Sequence, residues 1–275
     1  MIPGPADTIV TEFVDRLCDI QPNFIDGIYL TGSIPMNDFY TNKSDIDFLV
    51  LCRELPDLAI VSQLKHIHKI IGKQNLKPDL SGFYLASDSI RTSNPEKIKV
   101  LSCQQQVLRY EKFNMAPVIL SELKTNAITL FGVKAETLPV NIQPNILYDF
   151  LYGNINSYWS KWIKRHSSFL NRKIILLLFP RFTEWSVLGT ARQLYTLKTG
   201  KIVSKTEAGY YCLEHLPVQY HPVIQEAINI RKDKRTYPVL KSYGIKPSFR
   251  RLFQTIDCVN YIITLFNKIY MERQQ

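Results

Sequence analysis

Glycine is scarce in this chain, at 11 of 275 residues, and no tract repeats or simplifies. Collagen-like, low-complexity and internally repeated architectures are thereby excluded. The five cysteines (Cys18, Cys52, Cys103, Cys212, Cys258) are odd in number and scattered, with no CxxC spacing. They form neither a zinc-ligand pattern nor a disulfide framework, which fits a reducing compartment. The most apolar stretch, IILLLF at 174–179, falls far short of the ~20 residues that a membrane-spanning helix needs. The opening MIPGPADTIVTEF lacks the charged-then-apolar pattern of a secretory leader. The expectation is a cytoplasmic protein with no membrane contact. Long blocks of one charge are missing too. The 34 basic residues exceed the 24 acidic ones and give +10, but they are spread along the chain. The densest run, RKDKR from Arg231 to Arg235, reads as a surface loop. Such a balance suits anionic partners (nucleotides, RNA, an acidic surface) or excess charge carried on solvated faces.

What is present is an ordinary globular composition, 45% hydrophobic, enough for one large domain or two modest ones. Residues 6–20 carry apolar positions at helical spacing. DGIYLTGS is a β-rich run broken at Gly32-Ser33, DIDFLVLC a second strand, LPDLAIVSQLKHIHKIIG a helix, and DLSGFYLA a third strand. This order predicts an α/β domain on a small mixed sheet. Between Val100 and Phe131 the pattern is mixed. VKAETLPVNIQPN, with two prolines and few apolar residues in register, places a domain boundary near residue 145. Beyond it, long segments repeat apolar residues at i, i+3 and i+4. The prediction is an α/β domain over 1–145 and an all-α domain over 146–275.

One stretch, YLTGSIPMNDFYTNKSDIDFLVL from Tyr29 to Leu51, carries chemistry. A Gly-Ser turn leaving a strand can offer backbone N–H groups and a hydroxyl to a phosphate. Asp45 and Asp47, at alternate positions of the adjacent strand, point the same way. Two carboxylates on one face repel each other unless a cation lies between them. Aspartate suits magnesium, which prefers hard oxygen ligands. Paired carboxylates beside a phosphate cradle are what a two-metal nucleotidyl transfer site requires.

GS…SDIDFLV resembles the signature of the polymerase-β-type nucleotidyltransferase superfamily. Within it, the chain resembles the streptomycin/spectinomycin-type aminoglycoside adenylyltransferases. ARQLYTLKTGKIVSKTEAG…CLEHLPVQYHPVIQEA is similar to that family's helical domain, and KTNAITLFG (Lys124 to Gly132) to the segment before its linker. The resemblance implies transfer of AMP from ATP to a hydroxyl of the drug, with pyrophosphate leaving, and a role in antibiotic resistance. It implies that Gly32, Ser33 and Ser44 hold the triphosphate, and that Asp45 and Asp47 hold Mg2+. Arg192 and Lys205 match family positions that contact the nucleotide from the second domain. The partners implied are ATP and a small hydroxylated, cationic acceptor, with the chain acting as a monomer.

The sequence departs from the family at the acceptor side. The third-strand glutamate that serves as base there aligns with Ser81, and serine cannot act as a general base without a partner. Asp79, two residues earlier, shares its face if the strand extends that far; otherwise it is a turn residue following Pro78. Phe182 stands where an acid that reads the cationic drug is expected, which leaves Glu184 as the nearby carboxylate. Trp185 and Trp162 are available to stack on a ring or to fill a core. Three functions stay open: an aminoglycoside-like adenylyltransferase; a nucleotidyltransferase acting on RNA or protein; and an ATP- and magnesium-binding relative that has lost transfer.

Overall fold

A computed structural model describes residues 2–20, 23–75, 77–91, 97–167, 179–233 and 247–274. The chain divides into two compact units, Met1–Gln143 and Pro144–Gln275.

In the first unit, α1 (Gly4–Cys18) starts with proline in its first turn, where a missing N–H costs nothing. It buries Ala6, Ile9, Val10, Phe13 and Leu17, an i, i+3, i+4 stripe. β1 (Ile25–Thr31) and β2 (Ile46–Cys52) pair antiparallel. α2 (Leu58–Gln74) is capped by Asp57, whose carboxylate accepts from the Ile60 N–H at 2.9 Å, an interaction typically worth about 1 kcal/mol. It crosses to β3 (Leu80–Ala86), which lies parallel to β2. The expected mixed α/β sheet is therefore present, with more strands than the sequence predicted. The region of mixed pattern folds as β4 (Lys99–Gln104), β5 (Val107–Lys112), α3 (Ala116–Thr125) and β6 (Ile128–Gly132). The six strands run in the order β5-β4-β3-β2-β1-β6.

Side-chain alternation sends the two faces of the sheet to different cores. Ile46, Phe48 and Val50 of β2 pack with α1 and α2, whereas Leu49 and Leu51 pack with Leu120 and Leu123 of α3. On the α3 side the apolar face stops short at one end. There β2 and β3 begin, and the side chains change to Asp47 and Ser81.

The α1/α2 core holds one polar group of note. His68 Nε2 shares a hydrogen bond with Tyr84 Oη at 2.8 Å, and its Nδ1 lies 3.4 Å from Cys103 Sγ. Burial lowers the His68 pKa from 6.5 to about 4. The unfolded chain binds a proton below 6.5 that the folded one refuses until about 4, so the stability is full above 6.5 and drains away as pH falls. Denaturant midpoints should register a loss of roughly 3 kcal/mol between neutral pH and pH 4. His68→Gln, which has no proton to take up there, should lose that part of the slope.

The second unit is helical: α4 (Pro144–Asn154), α5 (Ser160–Ser167), α6 (Pro180–Thr199), α7 (Lys205–His215), α8 (His221–Arg231) and α9 (Pro247–Gln274). A π turn, Ile155–Trp159, joins α4 to α5 and presents Trp159 to α6. Gly189 makes room there, since a Cβ would stand 2.7 Å from the Trp159 ring. Gly200, at φ 74°, closes α6 in the left-handed conformation that glycine adopts without cost. Ser204 then caps α7 by accepting from the Glu207 N–H at 3.1 Å, so SKTE is a capping sequence. Arg251 of α9 and Glu226 of α8 form a buried ion pair at 3.3 Å.

The RKDKR run is not a surface loop throughout. Arg231 ends α8 and is buried, because the apolar face of that helix reaches its last turn; residues 234 and 235 lie outside the described residues. Most of the IILLLF stretch does too. Among the described residues, no helix is long and apolar enough to cross a membrane.

Candidate active site

The β1–β2 connection starts with a geometric constraint. Gly32 has φ 71°, and a Cβ at this position would run into the carboxylate of Asp47. Thr31 of β1 and Asp47 of β2 are register partners, so the turn leaves the strand directly over this acid. Glycine is required twice here, for the backbone conformation and for the space. The Gly32 N–H donates to Glu122, a buried carboxylate on α3. What Gly32 brings to a ligand is therefore room, since its N–H is engaged within the protein.

Ser33 differs from its neighbours. Its Oγ is buried and has no hydrogen-bond partner, and a buried orphan hydroxyl costs about 1–3 kcal/mol. A ligand oxygen at the turn would satisfy it. Ser44 is buried and its Oγ accepts from the Tyr40 N–H at 3.1 Å, which closes the loop that carries Asp45 forward. The Asp38 N–H donates to the Ser33 carbonyl at 2.9 Å and pins the same loop from the other side.

The two aspartates differ in exposure. Asp45 precedes the first residue of β2 and is about half exposed, and Asp47 is half-buried within the strand. The expectation that both lie within the strand is corrected for Asp45, which precedes β2 at the end of the sheet that opens to solvent.

The parallel register fixes the rest. Asp47 pairs with Ser81, and the Ile46 N–H donates to the Asp79 carbonyl at 2.8 Å. Ser81 thus stands beside Asp47 on the next strand, and Asp79 stands beside Asp45. Asp79 lies one residue before β3, yet it is not a mere turn residue. Its side chain lines an open cavity of about 520 Å³ with Asp45, Lys77, Ser81, Ser102, Gln104 and Arg109. Lys77 Nζ lies 3.7 Å from Asp45 and 3.5 Å from Asp79.

The chemistry of this set fits a nucleotide carried with magnesium. Asp45 and Asp47 supply hard oxygen donors, and an orphan hydroxyl waits at the turn. Magnesium is commonly bound by one or two carboxylates with substrate phosphates completing the shell. Among the described residues no group of three or more His, Cys, Asp and Glu side chains could hold a metal by itself, so phosphate oxygens would supply the balance.

In the second unit, Arg192 is half-buried and its Nε donates to the Val203 carbonyl at 2.9 Å, tying α6 to the segment before α7. Lys205 opens α7 and donates to Glu184 at 3.1 Å. Trp185 and Trp162 are both half-buried, so neither is a full core residue. Their rings pack 5.0 Å apart, and Trp185 also packs on the buried Trp159 at 4.6 Å. Sequence reasoning missed Glu122, Lys77, Arg109 and Arg231. The one available signal was for Glu122, an acid within the otherwise apolar helix APVILSEL.

Comparison with known proteins agrees with this architecture. Residues 10–104 match the nucleotidyltransferase domain family. Residues 169–243 match the C-terminal domain of aminoglycoside adenylyltransferase. No curated protein matches by sequence. The spectinomycin adenyltransferase AAD(9) from Enterococcus faecialis, whose crystal structure contains ATP and spectinomycin, is similar in fold, with a TM-score of 0.68 and 16% identity. The likeness covers 92% of this chain and 99% of that one. The chain thus joins a nucleotidyltransferase domain, with paired aspartates at the start of a central strand, to a helical domain that matches the C-terminal domain of aminoglycoside adenylyltransferase.

Proposed function

We propose that the protein transfers AMP from ATP to a hydroxyl of a small, cationic, aminoglycoside-like acceptor. The observation that carries this reading is the cluster at the start of β2 and β3. There Asp45, Asp47 and Asp79 gather beside the Gly32-Ser33 turn with its orphan hydroxyl. The acceptor oxygen bonds to the α-phosphorus, the bond to the β-phosphate breaks, and pyrophosphate leaves. Magnesium, when bound, neutralises the charge that develops on the phosphates. Asp45 and Asp47 hold it, Ser33 and Ser44 order the phosphate turn, and Asp79 takes the proton of the attacking hydroxyl. The free cysteines suit a reducing, cytoplasmic setting. Incubation with ATP, magnesium and a panel of aminoglycosides and aminocyclitols, scored by pyrophosphate release and the mass of the product, tests the whole reading. Release with no member of the panel counts against this acceptor class.

A second reading, ATP binding without transfer, is favoured by Ser81 alone, and the carboxylate of Asp79 in the same cavity weighs against it. Both readings give Arg192 and Lys205 to the nucleotide. Charge-assisted contacts contribute about 1.5–3 kcal/mol each. Calorimetry on Lys205→Ala should therefore show ATP affinity falling by about tenfold or more; unchanged affinity removes Lys205 from the site.

A further inference from the structure

The sequence offered Glu184 as the carboxylate that reads a cationic acceptor, and its surroundings fit a different task. Its side chain is only 12% exposed and accepts a hydrogen bond from Lys205 Nζ at 3.1 Å. It also lies 3.8 Å from the Arg231 guanidinium, which is 8% exposed. Glu184 belongs to α6, Lys205 opens α7 and Arg231 ends α8, so one carboxylate ties three helices together. Arg192, farther along α6, adds its field to the same place. Among the described residues, the charged groups facing Lys205 are thus Glu184 and Arg192 from α6 and Arg231 from α8, with cations in excess. Burial pulls the Lys205 pKa below its usual range, Glu184 pushes it back up by its charge and its hydrogen bond, and the two arginines lower it. Without Glu184, a largely enclosed ammonium would be left with the fields of Arg231 and Arg192 and with desolvation, all of which favour the neutral amine.

We propose that Glu184 is a positioning residue of the nucleotide site, which keeps Lys205 charged and aimed by pairing with it and with Arg231, and that it does not read the acceptor. The proposal rests on Lys205 being a triphosphate ligand. An amine that has lost its proton offers a phosphate no charge, so the consequence appears as a pH dependence of nucleotide affinity.

The test is calorimetry of ATP and of tripolyphosphate on the full chain, from about pH 7.5 to about pH 9.5. Wild-type affinity should change by less than about threefold, and Glu184→Gln should lose about tenfold or more as pH rises. The double variant Glu184→Gln/Lys205→Arg, whose guanidinium keeps its charge throughout, should be flat again. The KM for the acceptor should not move in Glu184→Gln. Parallel pH profiles for wild type and Glu184→Gln overturn the proposal. So does a raised acceptor KM at constant ATP affinity, which would make Glu184 a substrate contact after all. Should Glu184→Gln not fold, Glu184→Asp carries the test. It keeps the charge and should keep the flat profile, and a steep profile there overturns the idea. Loss of the parent reading looks different, because Lys205→Ala would then bind ATP as wild type does at every pH.

Discussion

Asp47→Asn should give a folded protein whose magnesium-dependent AMP transfer has fallen by about a thousandfold or more. A metal that neutralises charge on a transferring phosphoryl group is worth several kcal/mol, and each 1.36 kcal/mol is tenfold in rate. Asparagine matches aspartate in shape, so the contact with Gly32 and the pairing with Thr31 and Ser81 are kept while the charge is lost. Unchanged thermal unfolding with lost pyrophosphate release would locate the defect in the chemistry. Full activity in Asp47→Asn would rule out a metal held by this carboxylate. Gly32→Ala probes the same atoms from the other side. Its methyl group would collide with the Asp47 carboxylate in a backbone conformation that alanine resists, so transfer and stability should fall together.

The parts of the fold legible in the sequence were those with contrast between faces. DIDFLVLC shows that contrast at its start, where Asp45 and Asp47 alternate with the buried Ile46; from Phe48 onward it is a short apolar run buried on both faces. The helix after it was visible because it buries only one stripe. β4 and β5 were hidden for opposite reasons. Val100, Leu101, Ser102 and Cys103 are all buried, so that strand has no polar face to mark its period. β5 is an edge strand exposed at nearly every position, so it has no apolar face. Hydrophobic periodicity reports a difference between two environments and falls silent when both sides of a strand meet the same one.

At the site, the local motif was legible and its partners were not. Gly32, Ser33, Asp45 and Asp47 lie within sixteen residues of one another and carry a spacing that chemistry can interpret. Glu122 reaches Gly32 from ninety positions away, and Arg231 approaches Glu184 from another helix. Only the fold brings them together. Glu184, an acid near the expected acceptor subsite, pairs with Lys205 and Arg231, contacts that its place in the sequence does not announce. The same holds for Asp79. Following a proline, it had the sequence of a turn residue, yet the parallel register of β2 and β3 sets it beside Asp45.

That register makes the missing base testable. In the proposed reaction Asp45 and Asp47 would hold the metal, and neither could then freely accept the acceptor's proton. Asp79 is the remaining carboxylate at the start of these two strands, half-buried on the cavity wall and held 3.5 Å from Lys77. General-base assistance is typically worth 10²–10⁴-fold, so Asp79→Asn should lower turnover by about a hundredfold or more while ATP affinity stays as it was. Ser81 offers a second position, since it pairs in register with Asp47. Ser81→Glu places a carboxylate one strand away from Asp47, with a longer arm. In the Asp79→Asn background it should recover at least part of the lost rate, because a proton acceptor returns to the same cavity. In the wild-type background it should add little if Asp79 already does this work. The informative failure is the opposite pattern. If Asp79→Asn leaves turnover unchanged and Ser81→Glu alone raises it, Asp79 takes no part in the proton transfer. The wild-type protein would then work without a base, its attacking hydroxyl activated by the metal alone.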